Sequence, residues 1–275
     1  MDESHRRAWT ALELGPVWRL RDGNRSGATD ASQAVQGDAP SSMTAPKPDA
    51  AAAPPPLAEV DRRVGSPEEA DIDVAPAPAT PGTGVSGLGW AELRKTVATC
   101  RACTLCESRT QTVFGVGEER ARWLIVGEAP GAEEDARGEP FVGQAGKLLD
   151  NMLAALGLTR ERDVFIANVL KCRPPNNRNP EPDEVANCAP FLQRQIELLA
   201  PEVIVAMGRF AAQSLLRTDA TIASLRGKVH RHPVNGRPVP LVVTYHPAYL
   251  LRSLADKSKA WSDLCLARSC LTAER

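Results

Sequence analysis

Residues 122–149, RWLIVGEAPGAEEDARGEPFVGQAGKLL, decide how this chain folds. The stretch opens on an apolar run, Trp123-Leu124-Ile125-Val126, with the length and composition of a buried strand. Gly127-Glu128-Ala129-Pro130-Gly131 follows. Two glycines and a proline in five residues make a tight turn that brings bare backbone close to something. Then come an acidic cluster, Glu133-Glu134-Asp135, and one aromatic ring, Phe141, between Pro140 and Gly143. The spacing predicts a helix from near Gln144, with Leu148, Leu149, Met152 and Leu156 on one face and Gly157 as its stop. An ordinary strand–loop–helix connection is the plainer reading. The density of special residues at the strand's C-terminal end favours an active-site edge of an α/β sheet.

Working outward, the same alternation recurs. Strands are predicted at 163–170, 203–206 and 240–244, with a hairpin-like partner at 227–232 joined through Asn235-Gly236, a strong turn dipeptide. Helices are predicted at 90–98, 183–199, 210–216 and 258–271. Strands alternating with helices give an α/β fold with a largely parallel sheet. Polar side chains sit where three strands end: Glu128, Asn168 and His246. Ligands of open parallel sheets bind at that edge, so the three point to one cleft.

The N-terminal third reads differently. Residues 1–22 hold a short amphipathic segment with Trp9, Leu12, Leu14, Trp18 and Leu20, too few to form a core. Residues 23–88 are rich in Pro and Ala and read as a disordered linker, because they bury too little apolar surface to offset chain entropy. Residues 89–275 form the globular domain. Charge is asymmetric: residues 1–88 carry 8 Lys/Arg against 13 Asp/Glu, the rest 25 against 21. A mildly basic folded part is compatible with nucleic acid. With no apolar leader and no run of 18 apolar residues, neither a signal peptide nor a membrane span is expected, and a cytoplasmic monomer is.

Seven cysteines without a secretion signal favour metal binding or free thiols over disulfides. Cys100, Cys103 and Cys106 form C-x2-C-x2-C, and Cys172 and Cys188 are separated by fifteen residues. A metal centre usually takes four ligands. The candidate sets are Cys100, Cys103, Cys172 and Cys188, or one that uses Cys106. Four-thiolate zinc and an iron–sulfur cluster have the same ligand count, and spacing does not separate them. Cys265 and Cys270 lie among leucines on the last helix and read as core thiols.

GEAPGAEEDARGEPFVGQAGKLLDNML, NVLKCRPPNNRNP and HPAYLLR, in that order and together with the outer cysteines, resemble the iron–sulfur uracil-DNA glycosylases of the family-four group. The resemblance covers about Trp90 to Leu271. It implies a three-layer α/β/α sandwich with a central, mainly parallel four-stranded sheet. It also implies a 4Fe–4S cluster on Cys100, Cys103, Cys172 and Cys188, with Cys106 not a ligand, and uracil-containing DNA as substrate.

Such an enzyme extrudes uracil, recognises it and cleaves its N-glycosidic bond. Phe141 suits a stacking face, Asn168 an amide reading the base edge, and His246 a donor to the departing uracil anion. Gly127 and Gly131 line the turn and add backbone N–H groups. The related classical enzymes carry an Asp where this chain has Ala129 and a bulky Tyr where it has Gly131. Glu128 and Glu134 are then the candidates for positioning water, with Glu134 also the candidate for orienting His246 and excluding the thymine methyl. CRPPNNRNP lacks the histidine of a related covalent subgroup, so a covalent adduct is rejected.

An apolar wedge from Tyr249, Leu250 and Leu251, with Leu250 the candidate, beside Arg252, is expected to fill the gap left by the flipped base, and Lys171, Arg173 and Arg178 to meet phosphates. The N-terminal segment is expected to bind a repair or replication protein. Two rival classes are a non-catalytic zinc-stabilised DNA-binding module and a nucleotide hydrolase or transferase whose GEAPG loop holds phosphate; no Walker-type Gly-Lys-Ser/Thr supports the latter.

Overall fold

A computed structural model describes residues 84–272. The amphipathic segment at 1–22 and nearly all of the linker at 23–88 lie outside the described residues. Folded packing reaches back to Val85, which is buried in the core, while the Leu88 carbonyl accepts from Arg194 Nε.

Six strands form one sheet: β1 (Val116–Gly117), β2 (Trp123–Gly127), β3 (Val164–Asn168), β4 (Val203–Met207), β5 (Val229–Val234) and β6 (Arg237–Thr244). Their order is β1-β3-β2-β4-β6-β5. The inner four are mutually parallel, as expected; β1 and β5 add antiparallel edges. Every residue of β2, β3 and β4 is buried, the pattern of strands covered on both faces. β5 and β6 are joined at Asn235 and Gly236, both at positive φ (48° and 78°), which a type I′ hairpin turn requires.

The helices are α1 (Trp90–Ala98), α2 (Leu105–Ser108), α3 (Ala132–Arg137), α4 (Gln144–Ala155), α5 (Pro182–Leu199), α6 (Arg209–Leu216), α7 (Ile222–Leu225), α8 (Pro247–Leu250) and α9 (Lys257–Thr272). Alternation along β2 assigns the layers. Leu124 and Val126 face a core built with α1, α2, α5, α6 and α7; Trp123 and Ile125 face one built with α4, α8 and α9. The result is a three-layer α/β/α sandwich. The helices that follow the neighbouring strands β2 and β4 cover opposite faces, so the chain switches sides between them. A crevice opens there at the C-terminal edge of the sheet.

Candidate active site

Parallel register sets the pocket. Gly127 and Asn168 are direct partners at the ends of β2 and β3. A Cβ on Gly127 would stand 2.4 Å from Asn168 Oδ1 and 2.5 Å from the Phe141 ring, so only glycine fits between them. Phe141 stacks on His246, with ring centroids 5.3 Å apart and planes at 27°. Gly208, at the end of β4, gives His246 its room: a Cβ there would lie 3.1 Å from that of His246. The ends of β2 and β3 thus meet at Gly127 and Asn168, with Phe141 against Gly127 and His246 against Phe141; Glu128 is not among these contacts.

Asn168 is 2% exposed, and its Oδ1 has no hydrogen-bond partner among the described residues. An unpaired buried acceptor costs on the order of 1–3 kcal/mol and calls for a ligand that donates to it. Phe141 is also costly in isolation, since an aromatic residue at φ 54° lies in the left-handed region. Local departures of this kind gather where a binding surface is pre-formed.

His246 caps α8, its Nδ1 accepting from the Ala248 N–H at 3.1 Å. Burial pushes its pKa down to about 4, assisted by the charge of Arg252 and opposed by that of Glu134. The ring is therefore neutral near pH 7. With Nδ1 accepting, the proton resides on Nε2, which is left to donate.

Glu134 is fully engaged. Its Oε2 accepts from Gly131 N–H at 3.1 Å and its Oε1 from Val142 N–H at 3.0 Å, stapling both ends of the loop. It reaches His246 only through charge. Glu128 differs: among the described residues no hydrogen bond engages its carboxylate, and burial raises its pKa while Arg209, the first residue of α6, opposes the rise.

On the other core face, Cys100, Cys103, Cys106, Cys172 and Cys188 border one small cavity, together with Arg109 and Lys171. Among the described residues no trio of Cys, His, Asp or Glu is drawn close enough to grip a single ion. Arg109 donates to Cys172 Sγ at 3.0 Å, and the Lys171 backbone N–H to Cys188 Sγ at 3.2 Å. Burial would push the Cys188 thiol up to about 12. Lys171 is 1% exposed; its Nζ donates to two neutral oxygens, Asn168 O at 2.8 Å and Gln195 Oε1 at 2.7 Å. The charges acting on it are those of Cys188 and Cys172. A buried cation beside Cys172 and Cys188 at the edge of this cavity fits an anionic metal–thiolate centre.

Two expected DNA contacts are corrected. Lys171 is sealed inside and cannot reach a phosphate, because the chain leaving β3 runs inward toward the cysteine cavity. Leu250 is fully buried against the α4–α9 core, whereas Leu251 and Leu254 are exposed. Arg178 binds both oxygens of the buried Glu184, at 2.9 and 2.6 Å, so it braces its own loop. Arg173 is half-buried and donates to Asn177, while Arg252 is exposed.

Several contributors carry no sequence signature. Arg160 has none, Gly208 reads as no more than the turn after a strand, and Asp135 as part of the acidic cluster. Buried Asp135 accepts from Thr110 N–H at 2.9 Å, tying α3 to the segment after the cysteine motif.

Comparison with known proteins agrees with this geometry. The uracil DNA glycosylase superfamily pattern matches residues 114–265. A type-4 uracil-DNA glycosylase of Archaeoglobus fulgidus is 50% identical over 164 residues, 58% of this chain and 82% of that protein. One from Pyrobaculum aerophilum is 43% identical over 179 residues, covering 64% and 91%; one from Thermotoga maritima is 46% identical over 164 residues, covering 58% and 82%. By fold, by strand-end pocket and by these relatives, the chain belongs to the uracil-DNA glycosylase superfamily and, within it, to the type-4 enzymes.

Proposed function

We propose that this protein hydrolyses the N-glycosidic bond of deoxyuridine in DNA, releasing uracil and leaving an abasic site for base-excision repair. The observation that carries the reading is the unpaired Oδ1 of Asn168, buried beside Phe141 and His246. Uracil supplies an N3–H to that oxygen and an O4 acceptor to the amide N–H; cytosine offers an acceptor and a donor instead and leaves both ends mismatched. One face of Phe141 receives the extruded base.

The C1′–N1 bond breaks with its electron pair departing on uracil. His246 Nε2–H stabilises the negative charge gathering at O2; a neutral donor suits an anion that must then be released. A water oxygen bonds C1′, and Glu128 takes the proton; its raised pKa favours that role. Glu134 holds the loop in place. With Gly131, it forms the wall toward the 5-position and excludes a methyl group.

Cys100, Cys103, Cys172 and Cys188 would hold a 4Fe–4S cluster, which supplies a rigid anionic joint rather than chemistry at the sugar. Visible absorbance with about four irons per chain is expected; stoichiometric zinc would refute it. Exposed Leu251 and Leu254 replace Leu250 as the wedge, with Arg252 and Arg173 toward phosphates. Residues 1–22 would recruit a repair or replication protein, tested by pull-down with a chain cut before Gly84. For the activity, purified protein is incubated with oligonucleotides carrying one dU, dT or dC. Abasic sites should appear with dU alone, and equal cleavage of dC would overturn the assignment.

A further inference from the structure

We infer that Arg160 is a positioning residue for base excision, setting the stacking face of the pocket by clamping the backbone of Phe141. The inference rests on Phe141 being the face that receives uracil. Arg160 lies on the turn between α4 and β3, nineteen residues beyond Phe141, and its side chain is 17% exposed. One guanidinium nitrogen donates to Pro140 O at 2.8 Å, the other to Phe141 O, while Nε donates to Asp150 of α4. Successive carbonyls of an extended chain point opposite ways. At φ 54°, Phe141 turns its carbonyl to the same side as that of Pro140, where one planar fork grips both.

Gly146 completes the clamp. A Cβ there would sit 1.7 Å from Phe141 O, so any side chain would expel that carbonyl from the start of α4. Arg160 and Gly146 together over-determine a backbone conformation that an aromatic residue would otherwise leave. Released, Phe141 relaxes toward extended φ and its ring swings off the face it shares with His246. Local strain falls at the same time, so the fold need not suffer.

The test compares Arg160→Ala, Arg160→Lys, Gly146→Ala and Phe141→Ala in cluster-loaded full-length protein. Readouts are kcat/KM on dU oligonucleotide, inhibition by free uracil, affinity for abasic-site DNA and melting temperature. Arg160→Ala and Gly146→Ala should lose about tenfold in both kcat/KM and uracil affinity, one stacking interaction's worth. Affinity for abasic DNA should hold in both, melting temperature should hold in Arg160→Ala and fall in Gly146→Ala, whose Cβ meets backbone, and Lys, reaching one carbonyl, should recover part. If Phe141→Ala loses uracil affinity while Arg160→Ala keeps it, the clamp is refuted. An Arg160→Ala loss of abasic-DNA affinity in step with uracil affinity would refute it too, by making Arg160 a general support. If Phe141→Ala itself changes nothing, the stacking role fails instead.

Discussion

The base pocket and the cysteine cavity lie on opposite sides of the sheet's C-terminal region and are built in opposite ways. In the base pocket groups are left wanting: Asn168 Oδ1 has no partner among the described residues, Phe141 stands at positive φ, and His246 is half-buried and neutral with Nε2 left to donate. In the cysteine cavity they are satisfied: Arg109 and the Lys171 N–H donate to sulfur, and Lys171 Nζ has two acceptors. The contrast teaches a division of labour. On the proposed function, one site gives up stability to receive the base; the other would supply stability by holding the cluster. Lys171 joins them, since it borders the cavity while its Nζ bonds the carbonyl of Asn168.

Mutations that separate rate from stability break or sharpen this contrast. The largest effect is expected from His246→Ala: kcat for uracil release should fall about 10²- to 10³-fold, the loss of one pre-organised donor to a developing anion. The melting temperature should change little. Single-turnover excision measures the first, and differential scanning calorimetry the second.

Cys188→Ser should do the reverse. Losing a buried ligand should bleach the visible absorbance and lower stability by about 3 kcal/mol or more. DNA affinity should weaken through the loop braced by Arg178 and Glu184, while the preference of residual activity for uracil over cytosine persists. A folded, colourless variant with unchanged DNA affinity would erase the distinction between the two regions.

Asn168→Leu is a finer probe. Removing an unpaired buried acceptor in favour of an apolar side chain should raise stability by about 1 kcal/mol while excision is lost. Urea titration tests the gain. Destabilisation would mean that Asn168 is a structural residue.

The smallest effect is on pH dependence. The unfolded chain protonates His246 near 6.5 and the native chain near 4, so between those values the unfolded state binds more protons. Stability should therefore rise with pH across that window and level off above it. His246→Asn should flatten that part of the curve.

Much of the base pocket was legible because its chemistry is local to strand ends. An apolar run that stops at Gly127, Asn168 or His246 announces both the strand and the side chain it delivers. The rest depended on phase and direction. Leu250 and Leu251 are neighbours on a single turn of helix, and one residue of phase decides which is buried. Lys171 reads as a basic loop residue, yet the chain beyond β3 turns inward and places it between core layers. β1 is two residues long, too short for any periodicity to register. Arg160 grips the backbone of Phe141 and Gly208 leaves room for the His246 side chain, both in segments distant in sequence, so no local pattern records either role.

The most direct measurement is a crystal structure of the cluster-loaded protein with free uracil. The ring should lie on Phe141, with N3–H donating to Asn168 Oδ1 and O2 accepting from His246 Nε2. Uracil seated elsewhere, or touching only one of the three side chains, would contradict a single pocket assembled from the strand ends.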